Sequence, residues 1–175
     1  MVNDSMGTVL IDEARILKRA EEIGAQITED YRGEELVLIG ILRGAVMWMS
    51  DIMKRIDGDV SIDFMAVSSY GAATKSSGIV RINKDLDSDI DGKHVIIVED
   101  IIDSGTTLEY LINYLNAHSP KSIKTCALLD KPGGRRVKLD ADYVGFTVDD
   151  KFIIGYGLDY DQKYRQLPYI SWLNE

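Results

Sequence analysis

The sequence predicts an α/β fold: a mainly parallel, twisted sheet flanked by helices, with a small hood built from the terminal segments. Three observations carry this. Short β-branched apolar runs alternate with segments whose apolar residues recur every three or four positions. Two of the runs, Leu36-Val37-Leu38-Ile39-Gly40-Ile41 and Val95-Ile96-Ile97-Val98, are apolar throughout, as strands covered on both faces must be. The order strand, helix, hairpin-like strands, strand, helix, strand, strand is that of a parallel sheet with crossover helices.

Each element has its own signal. From Asp12 to about Tyr31, the spacing of Ile16, Ala20, Ile23, Ile27 and Tyr31 predicts an amphipathic helix, and Asp12 can cap its start. The Leu36–Ile41 strand leads through Leu42-Arg43-Gly44 into a second helix over Ala45–Ile56. On that helix, Met47-Trp48-Met49 with Met53 suits either core packing or a subunit interface. Asp57-Gly58 is a turn signal. Val60 to Val67 alternates, with Val60, Ile62, Phe64 and Ala66 on one face, which reads as a half-buried strand. The serine- and glycine-rich stretch 68–78 reads as a mobile loop, and 79–82 as a short strand. Asp91-Gly92 turns the chain into the Val95–Val98 strand, and Leu108, Leu111, Ile112 and Leu115 define the following helix. Ile123–Leu129 is another strand, Pro132-Gly133-Gly134 begins a basic loop, and Asp142–Thr147 and Phe152–Tyr156 are two further short strands.

At 175 residues the chain is expected to be one domain, with a core over about 32–148 and a hood from about 1–12 and 149–175. The net charge of -9 argues against a general nucleic-acid or anionic-membrane binder, though not against a small anion held locally. No apolar run approaches the ~18 residues of a membrane span. The first residues have neither a basic nor an apolar stretch of the secretory kind, so a cytoplasmic location is expected. Cys126 is the sole cysteine, excludes an intrachain disulfide, and reads as a small buried residue rather than a nucleophile.

The chemistry concentrates in Val95-Ile96-Ile97-Val98-Glu99-Asp100-Ile101-Ile102-Asp103-Ser104-Gly105-Thr106-Thr107. A parallel sheet binds ligands at the carboxyl ends of its strands. Glu99 and Asp100 lie at that edge, and Asp103 to Thr107 form the turn into a helix, where backbone N–H groups and the helix dipole favour an anion. Three acids beside a phosphate are compatible if the acids face sugar hydroxyls or a metal while the phosphate sits on the amides. A bare Asp-Ser-Gly would suit a helix cap just as well. The complete order of apolar run, Glu-Asp, two apolar residues and Asp-Ser-Gly-Thr-Thr is far more specific.

This stretch resembles the signature of type I phosphoribosyltransferases, which bind 5-phosphoribosyl-1-pyrophosphate. Within that group nearly the whole chain resembles the hypoxanthine-guanine phosphoribosyltransferases. Leu42-Arg43-Gly44 is similar to the family's pyrophosphate loop, and Ser68-Ser69-Tyr70-Gly71 to the start of its flexible catalytic loop. Leu128-Leu129-Asp130-Lys131-Pro132 is similar to the segment supplying a purine-reading lysine, and Lys151 to Tyr160, continuing to Arg165, to the purine pocket. In one departure, Lys131-Pro132-Gly133-Gly134-Arg135-Arg136 is one residue longer than the usual bacterial spacing.

The resemblance implies purine salvage: phosphoribosyl pyrophosphate and a 6-oxopurine base (hypoxanthine, and guanine with it) give a purine nucleoside monophosphate and pyrophosphate. It implies that Glu99, Asp100, Asp103, Ser104, Gly105, Thr106 and Thr107 bind the phosphoribosyl group, with Asp103 also the catalytic acid or base at ring nitrogen seven. Arg43, Gly44 and Arg165 would hold pyrophosphate, and Glu99, Asp100 and Asp159 would hold Mg2+ or its waters. Lys131 would donate to the 6-oxygen, Phe152 would stack on the purine, the backbone near Ile153 and Asp159 would complete the base pocket, and Ser69 and Tyr70 would close over it. A homodimer or homotetramer is implied. The competing readings are a phosphoribosyltransferase for another base, a phosphoribosyl-pyrophosphate-sensing regulator, and a doubly wound domain for a different phosphate ligand.

Overall fold

The computed structural model describes residues 6–69 and 80–173. In chain order these form β1 (Met6–Ile11), α1 (Glu13–Asp30), β2 (Glu35–Leu42), α2 (Val46–Met53), β3 (Asp59–Ser69), β4 (Val80–Lys84), β5 (His94–Ile102), α3 (Thr106–Asn116), β6 (Ser122–Asp130), a 3-10 turn at Pro132–Gly134, β7 (Tyr143–Thr147), β8 (Ile153–Ile154) and β9 (Ile170–Leu173). The main sheet has the order β4-β3-β2-β5-β6-β7. All its pairings are parallel except β3 with β4.

The unbroken apolar run of β2 has a direct cause. Leu36 and Leu38 point into a core shared with Ile16, Ala20, Ile23 and Ile27 of α1 and Trp48, Met49 and Ile52 of α2. Val37, Ile39 and Ile41 point the other way, onto Leu108, Leu111 and Leu115 of α3. A strand between two helical layers has no solvent face, so polar alternation disappears. Asp12 caps α1 by accepting the Arg15 amide at 2.9 Å.

Three elements differ from the expected ones. The second helix stops at Met53 rather than at Ile56, because the chain turns early to bring the Arg55 backbone against Gly24 of α1 and Ile56 onto the core. On that helix Trp48 and Met49 are buried, whereas Met53 and Val46 are exposed. In β3 the more buried face is that of Asp63 and Met65, and Ile62 stands 46% exposed. The Asp63 carboxylate accepts the amides of Asp87 and Ser88 at 2.8 and 3.0 Å, so an acid occupies an inward position that a hydropathy pattern assigns to solvent. The Phe152–Tyr156 strand shrinks to two residues, since Gly155 and Tyr156 both have positive φ. It joins β1 and β9 in a separate antiparallel sheet of order β1-β9-β8. Residues of that sheet, Ile11, Ile153 and Ile170, enter the same core cluster as α1 and α2. The expected loop at 70–78, and residue 79 of the expected short strand, lie outside the described residues.

Candidate active site

Two cavities bracket the carboxyl edge of the sheet. One, of about 120 Å³, is lined by Glu99, Ile101, Ile102, Asp103, Ser104, Gly105, Thr107 and Leu108. The other, about 290 Å³, lies around the β7–β8 connection with Arg15, Phe146, Asp149 and Lys151 among its walls. The smaller cavity opens on the start of α3, the segment to which the sequence assigns the chemistry. Gly105 occupies the N-cap with φ 79, and no side chain caps the helix. A residue with a Cβ is strained at that φ; the Thr106 amide makes only a long bond, 3.4 Å, to Ser104 Oγ, and amides at a helix start favour an anion. The Ser104 and Thr106 hydroxyls lie 2.9 Å apart beside these amides.

Glu99 and Asp100 sit within β5, which runs to Ile102, four residues past a strand ending at Val98. Burial pushes the Glu99 carboxyl well above its ordinary range, and the neighbouring Asp100 charge adds to it. Burial also raises Asp100, offset in part by the Ile101 amide donating at 2.7 Å. Two desolvated carboxyls at a ligand-binding edge suit a hard divalent cation, which takes oxygen ligands and needs only one or two protein carboxylates when phosphates and water complete its shell. Among the described residues no group of three or more His, Cys, Asp or Glu side chains is assembled for a metal on its own.

The β2–α2 loop closes directly on this acid. A Cβ at Gly44 would stand 1.6 Å from Asp100 Oδ2, so only glycine lets the loop approach so closely. The peptide joining Leu42 to Arg43 is cis. Arg43 Nη1 donates to Gln162 Oε1 at 3.0 Å, and Arg165 Nη2 donates to the same oxygen at 3.2 Å. Arg165 also pairs with Asp159 at 2.6 Å and donates to the Gly157 carbonyl at 2.6 Å. Asp159 in turn accepts the Gln162 amide at 2.9 Å. Arg43, Gly44 and Arg165, expected to bind pyrophosphate, are thus gathered with Asp100 and Asp159 of the expected metal set, whereas Glu99 lines the smaller cavity.

On the opposite side of the α3 start, Lys131 follows β6. Its Nζ lies 2.7 Å from Asp150 Oδ1 and 3.5 Å from Asp103 Oδ2. Burial alone would lower its pKa, but these two carboxylates outweigh it and the ammonium is held above its ordinary value. The Pro132–Gly134 turn lies against Asp103, since a Cβ at Gly134 would come within 1.8 Å of Asp103 Oδ1. Arg135 in the same loop pairs with Asp130, and the Arg136 amide donates to the Ser104 carbonyl at 2.9 Å. Phe152 is 55% exposed, its ring meeting that of Tyr160 edge-on at 5.6 Å. The Ile153 side chain is buried in β8. Ser69 ends β3 opposite Val80, and Tyr70 lies outside the described residues.

Two residues of this cluster were not singled out by the sequence. Gln162 bridges Arg43 and Arg165, and Asp150 holds Lys131. A glutamine between Asp159 and Arg165 carries no charge signal. Asp150 sits in an Asp149-Asp150-Lys151 run that reads as solvated surface. Cys126 is buried as expected, and burial pushes its thiol up to about 12.

A helix start flanked by buried carboxyls, two arginines joined through Gln162 and a carboxylate–ammonium pair has the chemistry to hold an anionic ligand. A family model described as the phosphoribosyl transferase domain matches residues 9–161, and the chain belongs to that family. It is 49% identical to the hypoxanthine-guanine phosphoribosyltransferase of Bacillus subtilis, over 99% of this chain and 96% of that protein. It is 46% identical to the bifunctional protein TilS/HprT of Listeria monocytogenes over 98% of this chain, but spans only 26% of that longer protein. The crystal structure of a hypoxanthine phosphoribosyltransferase from Staphylococcus aureus superposes with a TM-score of 0.94 at 48% identity, covering 98% of this chain and 93% of that one.

Proposed function

We propose that the chain transfers the 5-phosphoribosyl group of phosphoribosyl pyrophosphate to a 6-oxopurine, hypoxanthine and with it guanine, releasing pyrophosphate and inosine or guanosine monophosphate. The observation that carries this is the pair Asp103 and Lys131, whose acceptor and donor lie 3.5 Å apart at the rim of the uncapped helix start. Ring nitrogen seven and the 6-oxygen of a 6-oxopurine are neighbours on one edge of the base, so one acceptor and one adjacent donor read both. Adenine offers an amino donor where Lys131 needs an acceptor. A site built around one hydrogen bond rejects the analogue lacking it by large factors.

In this reading the amides and hydroxyls of Ser104, Gly105, Thr106 and Thr107 bind the 5-phosphate. Glu99 and Asp100 face the ribose hydroxyls. Arg43, the Gly44 backbone and Arg165 bind pyrophosphate. Phe152 covers the purine ring, and the backbone at Ile153 and Asp159 lines the pocket. Glu99, Asp100 and Asp159 are the residues that would hold Mg2+, which when bound neutralises the leaving pyrophosphate. As ring nitrogen nine bonds to the anomeric carbon, the bond from that carbon to the pyrophosphate oxygen breaks and the pyrophosphate leaves with the electron pair. Asp103 takes the proton that the base must release at ring nitrogen seven.

The same reading makes the chain one phosphoribosyltransferase unit, core about 32–148 and hood about 1–12 with 149–175, acting in the cytoplasm. No helix among the described residues is long and apolar enough to cross a membrane. We assign a homodimer or homotetramer, with the exposed Val46 and Met53 face of α2 as a contact region. Light scattering on the purified chain tests this. The activity is tested by steady-state kinetics with phosphoribosyl pyrophosphate, Mg2+ and a panel of hypoxanthine, guanine, xanthine and adenine. Turnover of hypoxanthine and guanine with none of adenine is expected. Preference for adenine, or no turnover of any base, overturns the reading.

A further inference from the structure

We infer that Asp150 is a positioning residue for the purine: it draws the Lys131 ammonium away from Asp103, so that the lysine faces the 6-oxygen and the Asp103 carboxylate stays available at ring nitrogen seven. The inference rests on the roles of Asp103 and Lys131 proposed above.

The geometry is unequal in a telling way. Lys131 Nζ is 2.7 Å from Asp150 but 3.5 Å from Asp103, the outer limit of a hydrogen bond. The lysine side chain is 12% exposed, against 69% for Asp150 and 53% for Asp103. A nearly buried ammonium must be paired, since leaving it unpaired is costly. The charged groups facing it are Asp150, from the β7–β8 connection, and Asp103, from the turn after β5. Without Asp150, the ammonium is left with Asp103 as its carboxylate partner. The Pro132–Gly134 turn lies against the Asp103 carboxylate and limits its movement on that side. Closure of Lys131 on Asp103 would draw the ammonium off the 6-oxygen and set its charge on the carboxylate meant for ring nitrogen seven.

Position along the chain reinforces this. Asp150 precedes Phe152 by two residues in a connection where the Lys151 amide closes on the Asp149 carbonyl at 2.8 Å. The same short turn therefore places both the lysine's partner and the aromatic ring of the base pocket.

The test is a double-mutant cycle on Asp150→Asn and Lys131→Met, with Asp150→Glu as the conservative variant, read as kcat and KM for hypoxanthine and separately KM for phosphoribosyl pyrophosphate. Because Asp150 is largely exposed, Asp150→Asn is expected to lower kcat/KM for hypoxanthine by about fivefold. KM for phosphoribosyl pyrophosphate and the melting temperature should stay at wild-type values, and Asp150→Glu should recover most of the loss. In the Lys131→Met background Asp150→Asn should have no further effect. The inference is overturned if Asp150→Asn is neutral, or if its cost is the same with Lys131 replaced. The underlying reading fails instead, and separately, if the wild-type chain does not use hypoxanthine or if Lys131→Met uses it as well as wild type.

Discussion

Replacing Asp103 by asparagine keeps its shape and removes its charge, which separates holding the substrate from moving a proton. The first-turn amides of α3 that would meet the 5-phosphate are untouched by this change, because Gly105 holds the N-cap without help from a side chain. Affinity for phosphoribosyl pyrophosphate should therefore survive, while kcat with hypoxanthine falls by about 10²–10⁴, the usual worth of general acid–base help. Turnover near wild type would remove Asp103 from the chemistry. Gly44 makes the complementary case on the pyrophosphate side. Alanine there would place a methyl group 1.6 Å from Asp100 Oδ2, so either the Arg43 loop or the carboxylate must move. A displacement of this size commonly costs about 10² in rate. The expected loss of kcat/KM falls on phosphoribosyl pyrophosphate, with thermal stability close to wild type because the loop lies at the sheet edge. A Gly44→Ala variant of unchanged kcat/KM would mean that the approach of the loop to Asp100 has no bearing on binding.

At the scale of elements, β3 shows both what patterning reveals and what it hides. Asp63 is 5% exposed, with its carboxylate tying the 87–88 segment to the sheet through two amides. Asp63→Ala leaves those amides without their acceptor and should destabilise the fold by about 2 kcal/mol, read as a lower urea midpoint at constant slope. A shift below about 0.5 kcal/mol would place Asp63 among ordinary surface acids. The strand was legible from alternation, but its buried face was not, because a hydropathy pattern cannot know that an inward acid will find two amides from a distant loop. The same reasoning sorts the rest. β2, β5, β6 and the three helices were legible because their burial follows directly from apolar spacing. The β5–α3 turn was legible because residue types and their order are tied to the local backbone. Asp150 and Gln162 were not, since their roles arise only when Lys131 meets the β7–β8 connection and when Arg43 and Arg165 converge from opposite ends of the chain. The shortening of the Phe152–Tyr156 strand was equally hidden, as a positive φ at Tyr156 is set by its surroundings rather than by its type.

At the scale of the whole molecule, two tyrosines fasten the helical layer on one side of the sheet. Tyr143 of β7 donates to Asp30 at the end of α1 at 2.5 Å, and Tyr156, in the turn after β8, donates to Asp51 of α2. Each phenol is only 2% exposed. Burial first, and then the adjoining carboxylate, raises both phenols far above the ordinary 10.0. The sign of the consequence follows from proton counting. Above pH 10 the unfolded chain releases these protons while the folded chain keeps them, so the unfolded state binds fewer protons and stability falls as pH rises. The stabilisation is fully present below the ordinary phenol value and is lost progressively above it, at up to about 1.4 kcal/mol per pH unit for each tyrosine. Lys84 and Lys93, raised by their bonds to Asp87 and Glu35, act in the same direction and window. The tyrosine part is isolated with Tyr143→Phe and Tyr156→Phe, which keep the ring and remove the proton. Each variant should melt lower than wild type at neutral pH, having lost a buried hydrogen bond and left Asp30 or Asp51 short of a donor. Between about pH 9 and pH 11 each should lose stability less steeply than wild type, so that the curves converge. Parallel curves across that range would show that these phenols titrate no differently in the folded and unfolded chain.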